Sequence, residues 1–141
     1  MNRNLLAAAV ATALVIVVVI VGFRTLGGPQ TQRRIQSDLR TVRAIADLAQ
    51  QIHSKWAAAD KTLPANLDGF SKSQTQNPVN HEEFSYRRKS DSQYELCSTF
   101  AADSHIEPDA NGANSFWLHP QGSYCFQFDA TQQIPPAPYY Y

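Results

Sequence analysis

The feature that most constrains this chain is the run from Leu5 to Phe23, nineteen residues without a charge. A helix rises ~1.5 Å per residue, so the run spans roughly 28 Å, close to the hydrocarbon thickness of a bilayer. It does not read as part of a soluble core. The expectation is a single transmembrane helix acting as an uncleaved signal-anchor. A cleaved signal peptide fits less well, because the run exceeds the usual ~7 to 15-residue apolar region and no A-x-A sequence follows it. Gly27-Gly28-Pro29 then interrupts helical hydrogen bonding where the segment leaves the membrane. The organisation that follows is a cytoplasmic tail over 1–4, an anchor over 5–23, a linker over 24–30, a globular domain over 31–130 and a Pro/Tyr-rich tail over 131–141.

Charge balances in sum, 12 Lys+Arg against 12 Asp+Glu, which leaves no excess with which to hold nucleic acid. It does not balance in distribution: residues 91–141 carry six acids and no Lys or Arg. Either the acidic half folds back on the basic half, or the subunit is dipolar and stacks head to tail on copies of itself. The flanks of the anchor, Arg3 against Arg24, Arg33 and Arg34, leave orientation open on the positive-inside rule. The short N-terminal tail and an even pair of distal cysteines favour a domain facing the periplasm or exterior, outside the inner membrane.

From Thr31 to about Asp60 there is no Pro or Gly, and Ile35, Val42, Ala49 and Trp56 recur at a spacing of seven. Leu39, Ala46 and His53 take the d-like positions of this repeat, and Ile45, Leu48 and Ile52 widen the stripe. This predicts a long amphipathic helix with a broad core-facing surface, packed on a sheet or on other helices. Arg34 and Asp38 form an i,i+4 pair on its polar face, worth only ~0.2 to 0.5 kcal/mol, so packing must stabilise the helix. His53 reads as a core-edge residue.

Pro64 forbids the helix from continuing, and Leu63, Leu67 and Phe70 peg the following loop to the core. Residues 83–87 and 93–100 alternate with period two and predict a hairpin around Ser90-Asp91-Ser92, with a third strand over 123–128. Both cysteines fall opposite the aromatic face of these strands. If the third strand pairs beside the second, Cys97 and Cys125 come within disulfide range; two free buried thiols are the alternative. The fold class is α+β: a transmembrane helix, then a long amphipathic helix on a small antiparallel sheet.

This arrangement, with Asp38-Leu39-Arg40, Leu63-Pro64-Ala65-Asn66-Leu67, Tyr94-Glu95-Leu96-Cys97-Ser98-Thr99-Phe100, and Trp117-Leu118-His119-Pro120-Gln121-Gly122 before Cys125-Phe126, resembles the pilin-like proteins, in particular the major pseudopilins of type II secretion systems. The likeness covers residues 33–129. It implies a pseudopilin-like fold and a membrane-anchored, non-enzymatic role in an envelope or secretion assembly. A prepilin carries a glycine before its apolar segment and an acid five positions into it. Here Asn4 precedes Leu5, no acid lies inside, and no prepilin peptidase site is recognisable.

Candidate chemistry is sparse. Asp103, Glu107, Asp109 and Asn111 carry oxygen ligands suited to Ca²⁺, although EF-hand spacing is absent. The resemblance adds weight here, since major pseudopilins have a calcium loop near this end of the chain; a solvated loop is the plain alternative. His119 with an acid and a hydroxyl would be needed for an anchored hydrolase. Phosphate loops, paired metal-ligand motifs and nucleophile elbows do not occur. The tail from Ile134 to Tyr141, with three prolines and three tyrosines, reads as a disordered end or as a polyproline-type docking ligand. Other expected partners are the membrane, copies of the chain and envelope proteins, with no other cofactor.

Overall fold

The computed structural model describes the backbone of residues 3–25, 29–104 and 113–138, and the side chains within those stretches except at 4–6, 23–25 and 113–114. Two compact units result, residues 1–33 and 34–141.

In the first unit, α1 runs from Arg3 to Thr25, 23 residues. Its apolar side chains are exposed, with Leu14 at 61% and Val18 at 68% of their full surface. Among the residues with described side chains, 7–22 in this helix, no helix is long and apolar enough to cross a membrane. The helical backbone continues past both ends of that stretch.

α2 spans Pro29–Ala58 and leads into the second unit. It begins inside the stretch expected to be linker. Proline fits its first position, where the missing N–H has no helical partner to lose. Leu39, Val42, Ile45, Ala46, Leu48, Ala49 and Ile52 are buried, whereas Ile35 and Trp56 are half-buried. Between residues 35 and 54 the exposed positions narrow to a stripe of Gln36, Arg40, Asp47, Gln50 and Ser54, so protein surrounds that part of the helix on most sides. Termination comes before Pro64: Asp60 and Lys61 take the left-handed conformation (φ 47° and 59°) and Lys61 N–H donates to the Trp56 carbonyl. Such a reversal satisfies carbonyls that the last turn leaves open.

Three strands follow, β1 (Ser85–Arg88), β2 (Gln93–Phe100) and β3 (Gly122–Asp129), in an antiparallel sheet of order β1-β2-β3. β2 has the bounds that its alternation predicts. β1 starts two residues later than expected, because Phe84 N–H donates to the Thr75 carbonyl and Glu83 bridges Gln76 instead. Thr75 ends α3 (Lys72–Thr75), a single turn whose start is boxed by Ser71 and Gln74. Tyr94, Leu96, Phe126 and Phe128 face Val42, Ile45 and Ile52 across the core, and the Tyr94 hydroxyl donates to the Ala49 carbonyl.

α4 (Ala113–Phe116) brings Phe116 and the fully buried Trp117 against Phe126 and Phe128. The tail beyond β3 differs from the expected loose end. Trp117 Nε1–H donates to the carbonyls of Pro135 (3.3 Å) and Pro136 (3.0 Å), and Ile134 and Ala137 pack on the core. Prolines offer carbonyls without competing donors, so one indole can strap the segment down. Through Pro138 the tail therefore belongs to the domain; Tyr139 to Tyr141 lie outside the described residues.

Candidate functional site

Strand parity builds the outer face of the sheet. The core takes Tyr94 and Leu96 from β2 and Phe126 and Phe128 from β3, so Glu95, Cys97, Cys125 and Gln127 must point the other way. Cys97 and Cys125 stand directly opposite in the register, Cα atoms 3.9 Å apart, and form a disulfide. The chain has no free cysteine.

One step along the same face, Glu95 lies opposite Arg87 on β1 and Gln127 on β3. Its side chain is nearly buried, and its two oxygens meet Arg87 Nη1 at 3.0 Å and Lys89 Nζ at 2.9 Å. Both cations are themselves well exposed, so the clamp holds the strand faces in register more than it adds stability. Among the described residues, Glu95, Cys97 and Cys125 form the one group of three with metal-type donors in reach of one another. Their chemistry does not suit a metal: both sulfurs are spent in the disulfide and the carboxylate is held by two cations.

A second polar corner joins α2 to the segments flanking α4. Asp38, 7% exposed, accepts the backbone N–H of Ala101 (2.8 Å) and Ala102 (2.9 Å). The expected pairing with Arg34 on a polar face is thus replaced by a buried anchor, since two N–H donors satisfy both carboxylate oxygens. Beside it, Ser104 N–H donates to the His119 carbonyl while Ser104 Oγ accepts His119 N–H, and Asp103 Oδ1 accepts Gln121 N–H. The His119 ring stacks on Phe100 with centroids 3.9 Å apart, and its Nδ1 faces the Pro120 carbonyl. Burial lowers its pKa, opposed by that carbonyl and by Asp38 and Asp103. The corner thus contains an acid, a hydroxyl and an imidazole, yet Ser104 and Asp103 are directed to main-chain groups. Of the oxygen ligands proposed for Ca²⁺, Asp103 is engaged with Gln121; Glu107, Asp109 and Asn111 lie outside the described residues.

Two further features have contacts that the sequence reading did not supply. Asn77, 2% exposed, accepts from Thr41 Oγ1 and Val79 N–H and donates to Ser98 Oγ, pinning the loop before β1 to both α2 and β2. The Leu63–Phe70 loop runs beside β1, where Tyr86 and Arg88 donate to the carbonyls of Pro64 and Leu63. Between that loop and β1 lies an open groove of about 430 Å³ with Asn66, Phe70, Glu83, Phe84 and Tyr86 in its walls; His119 does not line it. A buried Asn in a loop carries no periodic signal; its Asn-Pro step marks only a turn. No family model, curated protein or solved structure matches the chain.

Proposed function

We propose that the chain is a membrane-anchored structural or interaction subunit of an envelope assembly, with a pseudopilin-like domain outside the inner membrane and no reaction of its own. The carrying observation is α1. Its side chains from Val10 to Val21 present apolar surface all round, and its one polar side chain in the run, Thr12, donates to the Ala8 carbonyl within the helix. A contiguous apolar surface of this kind is costly in water and matched by hydrocarbon. The disulfide supports an oxidising compartment for the domain. A long helix under three antiparallel strands agrees with the pseudopilin-like resemblance over residues 33–129.

Two measurements on intact cells test this reading. The full chain should stay with membranes through an alkaline wash, and release by that wash would remove the anchor. Cys97 and Cys125 should react with a membrane-impermeant thiol reagent only after reduction. Labelling that waits for lysis would put the domain in the cytoplasm and overturn the reading.

A further inference from the structure

The two edges of the sheet are built differently. β1 is four residues long, carries Arg87 and Arg88 with Lys89 just beyond, and has the Leu63–Phe70 loop hydrogen-bonded beside it. Its approach is closed as well, by the Phe84 to Thr75 bond. Short length, positive charge and a covering loop are the devices by which natural edges avoid pairing. Among the described residues, β3 has none of them. It is eight residues long, and from Gly122 to Phe128 it holds no charge and no proline.

Its pairing with β2 shows which backbone groups look outward. Ala130 N–H donates to the Ser92 carbonyl, so residue 130 faces β2. In an antiparallel ladder that facing alternates, which turns the even positions 124, 126 and 128 toward β2 and the odd positions 123, 125 and 127 toward the free edge. At each end of the free edge one backbone group is already engaged. Gln121 N–H is held by Asp103 Oδ1 at 2.7 Å, and the Asp129 carbonyl accepts Gln132 N–H at 2.9 Å. Among the described residues, the outward N–H and C=O groups of Ser123, Cys125 and Gln127 have no backbone partner.

We propose that this stretch is a self-pairing edge, in which β3 of one copy adds antiparallel to β3 of a second copy about a two-fold axis through Cys125. The free stretch is itself symmetric: one residue at the centre, one pairing position on each side, and a partly engaged position beyond. Only a register centred on Cys125 sets Ser123 opposite Gln127 of the other copy and uses the outward groups of all three residues, about six hydrogen bonds in all. The same register keeps faces matched. Tyr124 meets Phe126 of the other copy on the aromatic side, and Ser123 meets Gln127 on the polar side. No charge opposes a like charge, because the paired stretch has none. Such a contact is isologous and uses up the open edge of both copies, so it gives a closed dimer and not a fibre. This goes beyond the anchoring reading and does not depend on it.

The axis position supplies the test. With Cys97→Ser in the full chain, Cys125 loses its partner and faces Cys125 of the second copy; oxidation should shift the chain to a disulfide-linked dimer on a non-reducing gel. With Cys125→Ser, the remaining Cys97 sits on the central strand and should give no dimer. Adding Gln127→Pro to Cys97→Ser removes an outward donor without touching the bonds to β2, and should abolish the cross-link. A dimer that survives Gln127→Pro, or none with Cys97→Ser, would overturn the proposal. Because loss of the bridge weakens the domain, the unmutated chain gives a second reading. Concentrating it in detergent should slow amide exchange at Ser123, Cys125 and Gln127; exchange independent of concentration would also overturn the proposal.

Discussion

Two histidines make the domain acid-sensitive residue by residue. Burial lowers the pKa of both His53, which meets Tyr94 edge-on, and His119, which stacks on Phe100. Nearby Asp129 opposes the shift at His53, and the Pro120 carbonyl, Asp38 and Asp103 oppose it at His119. In the unfolded chain each takes its proton near 6.5; in the fold each does so at lower pH. Between those limits the unfolded state binds more protons, so stability is full above about pH 6.5 and falls as pH drops toward the folded values. The urea midpoint should therefore be lower at about pH 5.5 than at about pH 7.5. His119→Phe, which keeps a ring on Phe100, should shrink that difference, and an identical difference would place the titration in other groups. Asp38 acts at the same scale in another way. Its carboxylate ties the end of β2 to α2, a role that no helical spacing reveals because the partners are main-chain donors more than sixty residues away.

Among the elements, the Pro-rich strap is the one whose loss should tell most. Removing residues 134–141 takes Ile134 and Ala137 off the core they pack against and leaves the buried Trp117 N–H without its carbonyls. Reburial terms and an orphaned donor together suggest a loss of about 2 to 4 kcal/mol in unfolding free energy. Tryptophan emission should also move to the red, as Trp117 passes from full burial toward water. An unchanged midpoint and spectrum would show that the strap contributes nothing to the core. The elements were unequally legible. β2 could be read to the residue, since Tyr94, Leu96 and Phe100 alternate with polar neighbours, and the breadth of the apolar stripe on α2 announced a helix with many contacts. α3 and α4 were silent, because four residues cannot display a period. The strap was silent too: three prolines look the same in sequence whether they are loose or held by a distant indole. At the candidate site, the placing of both cysteines on the outer face followed from strand parity, whereas Asn77 and the Ser104–His119 pairing needed the fold.

For the molecule as a whole, the disulfide sets how far the unfolded chain can expand. Cys97 and Cys125 are 28 residues apart, and closing a loop of that length limits the unfolded ensemble enough to stabilise the fold by roughly 3 to 4 kcal/mol. Reduction, or Cys97→Ser, should therefore lower the melting temperature of the domain; equal melting of oxidised and reduced chain would mean that the ladder of β2 and β3 alone fixes that loop. The clamp of Arg87 and Lys89 on Glu95 adds little to this, since both cations stay in water.

The bond from Trp117 to Pro135 and Pro136 also orders events in time. The last pieces of the core are made about a hundred residues after α1. α1 is thus complete, and free of the ribosome, while α2 still has no sheet above it and no strap beside Trp117. Under the proposed anchoring, the first helix would be received before the domain exists, and the core would close only once its C-terminal pieces arrive.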